Sequence, residues 1–542
     1  MKQVVMTLIF LGKICVSLAQ NAVPAAASPL PDTTQKLEIL RALRYNFEKK
    51  DSINSFLSLA GNVELRQGGT LFYADSAVVN QLTKVVEAFG NVHVNDGDTM
   101  NTYANYMRYT GANKLAYLKG NVKMVDNKDG IITTQELWYD LNASMANYKT
   151  GGRVVNQKTV LTSTGATYYG ATKDVVFRKK VVLNAPGYSI YTDSLQYNSI
   201  SEQATFIAPT TIINNNRKIY TSKGYYDLKT GTAVFANRPK IVDSTSSITA
   251  DDIRFDDKEG IGQFKGNVVF NDTANGISIL SNELFANNKK NAILATEKPL
   301  MIIQQDGDSL YIAADTLYSG RITDMPKSRT IPVITDTLGK AWVAPDLLGK
   351  DSSMNRFFEA WNNVRIFSDS VQAKADSLFY GGIDSAFRLF KKPVIWSADS
   401  QISGDTIYLF TSNQKPQRMF AFFNSFIVNK VGAHQYNQVK GNTVNALFKE
   451  GYIDYVRTKG RAETVYYAQD ENNGFVGMNR ATSDAVDMFF NNRKPERVKF
   501  INDLQGITYP MRQIPPGQAT LKGFEWLDKL RPKTWLDLLK DP

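Results

Sequence analysis

The chain has 542 residues, 43% of them hydrophobic and 11% aromatic, enough apolar material for a large folded core and too much for a disordered chain. Its formal charge of +11 is spread along the sequence, which favours acidic partners weakly, suits a merely soluble surface equally well and does not point to nucleic acid. One cysteine, Cys15, leaves no basis for a disulfide framework or a cysteine-based metal site.

Residues 1–19 read as a signal peptide. Lys2 supplies the positive start, Val4 to Leu18 is mostly apolar, and Ser17-Leu18-Ala19 offers a cleavage site. The stretch is too short for a good membrane span. Lys13, two residues before Cys15, suits a lipid-anchored cysteine poorly. Residues 20–36, rich in Ala, Pro and Ser, read as a flexible leader.

A repeat of roughly thirty residues begins next, inside the range of stacked supersecondary units. Its clearest copies open with Gly61-Asn62-Val63, Gly90-Asn91-Val92 and Gly120-Asn121-Val122. Each opener starts a short alternating strand, and a second strand follows, as in Tyr73-Ala74-Asp75 and Thr102 to Tyr109. Leu37 to Phe47 is a strand in the phase of the repeat, although Leu40, Leu43 and Phe47 are also spaced for a helix face. Weaker copies run through Tyr191-Thr192-Asp193 and Gly266-Asn267-Val268 to Tyr318, giving a first block at 37–318. Residues 319–356 contain Pro326, Pro332 and Pro345 and little alternation; they read as a linker or long loop. A second block at 357–500 resumes at Asn363-Val364, and 501–542 reads as an extended tail with short helical turns beside Pro532.

In each strand after an opener, apolar and polar residues alternate, so one face is buried and the other wet. Val63, Leu65, Val92, Val94, Val122, Met124, Val268 and Phe270 share the inward phase. Asn91, His93 and Lys123 take the outward phase. The Gly-Asn pair suits a tight turn, and the Asp or Asn after each Ala caps a turn or bonds neighbouring backbone. There are two histidines, His93 and His434, and no paired-histidine spacing. No catalytic residue, metal ligand or cofactor is singled out, so the chain does not read as an enzyme.

The phased Gly-Asn-Val openers, each followed by Ala-Asp/Asn-x-Leu-x-Tyr, resemble the OstA-like (organic solvent tolerance A-like) family of periplasmic lipopolysaccharide-transport proteins. The resemblance runs from about Leu37 to about Phe490 and is best between Gly61 and Tyr139. It implies an all-β, elongated jellyroll of two facing antiparallel sheets. Its interior would shield lipid A acyl chains on the way to the outer membrane, with the eight inward residues touching lipid. The implied partners are lipopolysaccharide or lipid A, other transport proteins joined by edge-strand addition, and further copies associated head to tail. The implied location is the periplasm, in association with the outer membrane. The chain after Phe490 is too short for the large barrel that outer-membrane members add. The residues alone leave open a closed parallel β-solenoid serving as an adhesin or polysaccharide-binding rod.

Overall fold

The computed structural model describes residues 36–97, 100–126, 130–305, 308–326, 353–412, 415–450, 452–470, 472, 474–491 and 494–540. The expected signal peptide, with Cys15, and nearly all of the leader lie outside them. Among the described residues strands dominate, and only short 3-10 turns interrupt them. The described residues form two compact units, one of residues up to 127 with 140–142, the other of 128–139 and residues from 143 onward.

The first unit is built from β1 (Leu37–Arg41), β2 (Arg44–Lys49), β3 (Ser55–Gln67), β4 (Thr70–Asn80), β5 (Val85–Asp96), β6 (Met100–Thr110) and β7 (Leu115–Asp126). From β3 to β7 each strand pairs antiparallel with the next, and β1 and β2 pair with the two halves of β3. The register slips once in each of these long pairs, between Ala60 and Val63, Tyr73 and Ser76, Phe89 and Val92, and Tyr103 and Tyr106. Each slip is a β-bulge, and a bulge bends its strand. Every long strand therefore has two arms. Arm A holds 63–67, 70–74, 92–96, 100–104 and 122–126; arm B holds the other halves. The arms fold face to face: Phe72 of arm A meets Tyr109 of arm B, with ring centroids 4.8 Å apart.

The Gly-Asn pairs make these bends. Gly90 and Asn91 have φ of 72° and 42°, and both lie inside β5. This corrects the expectation that Gly-Asn forms a turn opening a new strand. Left-handed backbone is what both a turn and a bulge demand, and the sequence does not distinguish them. The connecting turns fall elsewhere, at 68–69, 81–84 and 111–114.

The second unit repeats the plan. Asp174–Ala185 and Tyr188–Asn198 pair antiparallel with a slip between Arg178 and Val181. Ile261–Asp272 and Ile277–Asn287 do so with a slip between Lys265 and Val268. Elsewhere the bend splits a strand in two, as at Gln203–Phe206 and Thr210–Asn214. All the described pairings are antiparallel, so the fold is an all-β jellyroll and the parallel solenoid is excluded.

Residues 319–356 do not separate two blocks. Thr316–Arg321 pairs antiparallel with Arg356–Trp361, so the stretch is an insertion between neighbouring strands. The compact units part near residues 127–142 instead.

Candidate functional site

The inward phase of the alternation fills the space between the arms. In the first unit it brings together Val63, Leu65, Val92, Val94, Val122 and Met124, each 3% exposed or less. In the second unit Val268 is buried to the same degree, while Phe270, nearer its strand end, is half-buried. His93 faces outward, stacked between Tyr73 and Tyr103 at centroid distances of 5.3 and 4.5 Å. Its Nε2 lies 2.8 Å from Asn101 Oδ1. Asn91 and Lys123 are exposed.

Toward the tips of the arms the inward residues turn polar. Gln67 ends arm A of β3 and accepts a hydrogen bond from the Tyr109 hydroxyl of arm B. In the second unit Asn156 of arm A donates to Ser199 O at 3.2 Å and to the Tyr197 hydroxyl at 3.4 Å. Asn214 and Arg217 of arm A both reach Asp257 of arm B, each at 3.2 Å. Tyr226 donates to the same carboxylate at 2.8 Å. Burial pushes the Tyr109 and Tyr197 hydroxyls up to about 12, so they remain protonated. The Tyr226 hydroxyl is raised further, by burial first and by Asp257 second. The cross-section is thus an apolar interior under a polar seam.

Residues 34–193 and 178–251 match the family model described as OstA-like protein. Over those residues the chain is similar to that family. The matched residues contain six of the eight inward residues and the cross-tip contacts at Gln67 and Asn156, whereas Asp257 lies just beyond them. No curated protein matches the chain. Among solved structures, the chain is similar to LptH from Pseudomonas aeruginosa, titled the LptA homologous periplasmic component of the conserved lipopolysaccharide transport device. Identity is 12%, coverage is 35% of this chain and 85% of LptH, and the TM-score is 0.14. A TM-score that low lends no weight to the fold, which stands on the antiparallel pairings.

Two further features escaped the sequence reading. The first is the polar seam, whose residues are common types scattered 40 to 43 positions apart. The second is how the C-terminal tail packs. Residues 519–540 run back over the outer face of arm A in the second unit. Leu521 joins Phe426, Val428, Val465, Tyr467 and Met478 in one apolar cluster. Leu538 is buried with Leu300 and Ala313, and Trp535 stacks on Tyr311. Three buried glutamines hold this strap. Gln438 accepts from Leu521 N and donates to Ala519 O; Gln401 accepts from Leu527 N and donates to Glu525 O; Gln372 accepts from Arg531 Nε. The alternation in Trp396, Phe426 and Met478 hinted at an outer face as apolar as the inner one.

Proposed function

We propose that the chain is a periplasmic lipid carrier that shields the acyl chains of lipopolysaccharide between its two arms during transport to the outer membrane. The observation that carries this reading is the buried, mostly apolar inward row of the first unit, with Leu65, Phe72, Val94 and Met124 in register, in a segment that matches an OstA-like family model and is closed at the tips by polar residues. An acyl chain lying along that row gains roughly 0.8 kcal/mol for each methylene it buries. A phosphorylated sugar headgroup would stay at the polar seam. Partners of the same architecture would join through the end strands by strand addition, and copies of this chain would associate head to tail the same way. The eight inward residues would be the lipid contacts, and the work is carriage rather than catalysis. The expected export signal at residues 1–19 would deliver the chain to the periplasm.

One observation favours a second reading, a structural rod without cargo: the inward residues of the first unit already fill one another's contacts. Photocrosslinking in cells separates the two. A photoreactive residue at Val94 or Met124 should capture lipopolysaccharide, and one at His93 should not. Lipid adducts at none of the three would leave the rod. Equal adducts at Val94 and His93 would defeat the assignment of inner and outer faces.

A further inference from the structure

We propose that the arm tips around Asp257 form a lateral gate through which acyl chains enter the interior, with Asn214, Arg217 and Tyr226 as its latch. The proposal rests on the lipid-carrier reading and says where that cargo passes. Side chains buried to this degree leave a lipid no room unless the arms move apart. Three boundaries enclose the interior of the second unit. Two are the walls, each a ladder of backbone hydrogen bonds, and parting neighbouring strands breaks several bonds at once. The third is the seam between the tips, closed at Asp257 by side chains alone. Arg217 Nη1 and Asn214 Nδ2 reach its carboxylate from arm A. Tyr226 binds it from arm B and holds it in place. Both charged groups are partly solvated, with side chains 31% and 24% exposed. Bonds of this kind exchange with water at small net cost, whereas a backbone ladder opens cooperatively.

The rings below the latch add a second argument. Tyr188 contacts Tyr226 at 5.4 Å, Tyr226 contacts Phe255 at 6.1 Å, Phe255 contacts Phe235 at 5.5 Å, and Phe235 contacts Phe206 at 5.9 Å. Phe235 and Phe206 are fully buried, and Tyr188 sits at the rim. This file of rings leads from the seam to the core and offers an acyl chain apolar contact at each step. When the latch parts, Arg217 loses Asp257 and becomes free to meet an anionic headgroup, so a phosphorylated lipid can take over the contact that it breaks.

The test uses the full chain carrying Cys15→Ser, Asn214→Cys and Asp257→Cys, with fluorescently labelled lipopolysaccharide as the probe. Oxidation ties the tips together and reduction frees them, so one folded sample supplies both states. Uptake by the oxidised form should be at least about tenfold slower than by the reduced form, and reductant should restore it. In the chain without engineered cysteines, Asp257→Asn removes the ion pair and should speed uptake by up to about tenfold, since a charged hydrogen bond is lost only from the closed state. Equal uptake by oxidised and reduced forms, with the unmodified chain binding lipid, overturns the gate and leaves the carrier reading standing. Absence of uptake by the unmodified chain overturns the carrier reading and the gate with it.

Discussion

Asn91 donates its side-chain amide to the Asp75 carboxylate across the bend of the first unit, at 3.0 Å. The same bond recurs from Asn267 to Asp251 at 2.8 Å, from Asn363 to Asp315 at 3.2 Å and from Asn424 to Asp405 at 3.0 Å. In each case the asparagine has positive φ and sits in the bulge, while the aspartate faces it from inside a strand at Asp75 and from the break between two short strands at Asp251, Asp315 and Asp405. The repeat seen in the sequence is therefore a repeated hinge pin. Asp75, Asp251, Asp315 and Asp405 each hold a bend, and the bend makes two arms of the sheet.

Asn91→Ala should cost about 0.5–1.5 kcal/mol for the lost hydrogen bond, with the strain of alanine at positive φ added to it. Gly90→Ala should cost more, about 1–3 kcal/mol. Its φ is 72°, and an added Cβ would clash with Asp75 Oδ2. Urea unfolding of both variants measures this, and a Gly90→Ala protein as stable as the native one would remove the bulge from the account.

Val94→Asp should destabilise the first unit by about 3 kcal/mol or more, since a charge without a partner enters a site that is 3% exposed. Val94→Ala should cost about 1–3 kcal/mol and leave the fold intact. Lipopolysaccharide binding by the alanine variant is then the informative quantity. Weaker binding at unchanged strand content, read by circular dichroism, would tie the interior row to lipid; unchanged binding would separate them.

The all-β class and the inward and outward phases were legible because strand alternation has a period of two and few residues break it. His93 between Val92 and Val94 shows how little room the pattern leaves. The bend was not legible, because Gly-Asn answers equally to a turn and to a bulge. The polar seam was not legible either: Asn214, Arg217 and Asp257 meet only once the strands have folded into arms. The packing of the tail was not legible because Leu521, Phe524 and Trp526 follow no strand or helix period. They pack against a sheet whose outer face, at Phe426 and Met478, is as apolar as its inner one.

Asp487 gives the fold a pH dependence. Arg457 donates to both of its oxygens at 2.6 Å, and the Tyr455 hydroxyl adds a third bond at 2.9 Å. The guanidinium contact is the main cause holding this carboxyl below its ordinary range. A carboxyl whose folded value is depressed stabilises the fold fully above its unfolded value, about 3.9, and loses that contribution as the pH falls through the folded value. Asp487→Asn should therefore lower the melting temperature at neutral pH. The gap to the native protein should close as the pH falls below about 4. A gap that stays constant down to strongly acidic pH would show that the charge contributes nothing.

The strap supplies the most exacting test of the second unit. Gln401 is 1% exposed; its oxygen accepts from Leu527 N at 2.7 Å and from Trp396 Nε1 at 3.2 Å, and its amide donates to Glu525 O at 2.8 Å. Gln401→Ala strands all three partners, and the expected loss is about 2–4 kcal/mol. Gln401→Glu keeps the acceptor but removes the donor and buries a charge, so it should be no milder. Cutting the folded chain inside the Pro515-Pro516-Gly517 turn leaves every strap contact in place and removes only the covalent link. The nicked protein should keep its tail through gel filtration and melt at a lower temperature than the intact chain. Trp526 and Trp535 lie in the strap, so their fluorescence reports its release directly. With Gln401→Ala the nicked tail should leave at a lower urea concentration than from the native sequence. If the tail separates from the nicked native protein without denaturant, the glutamine clamps are not what holds it, and chain connectivity is.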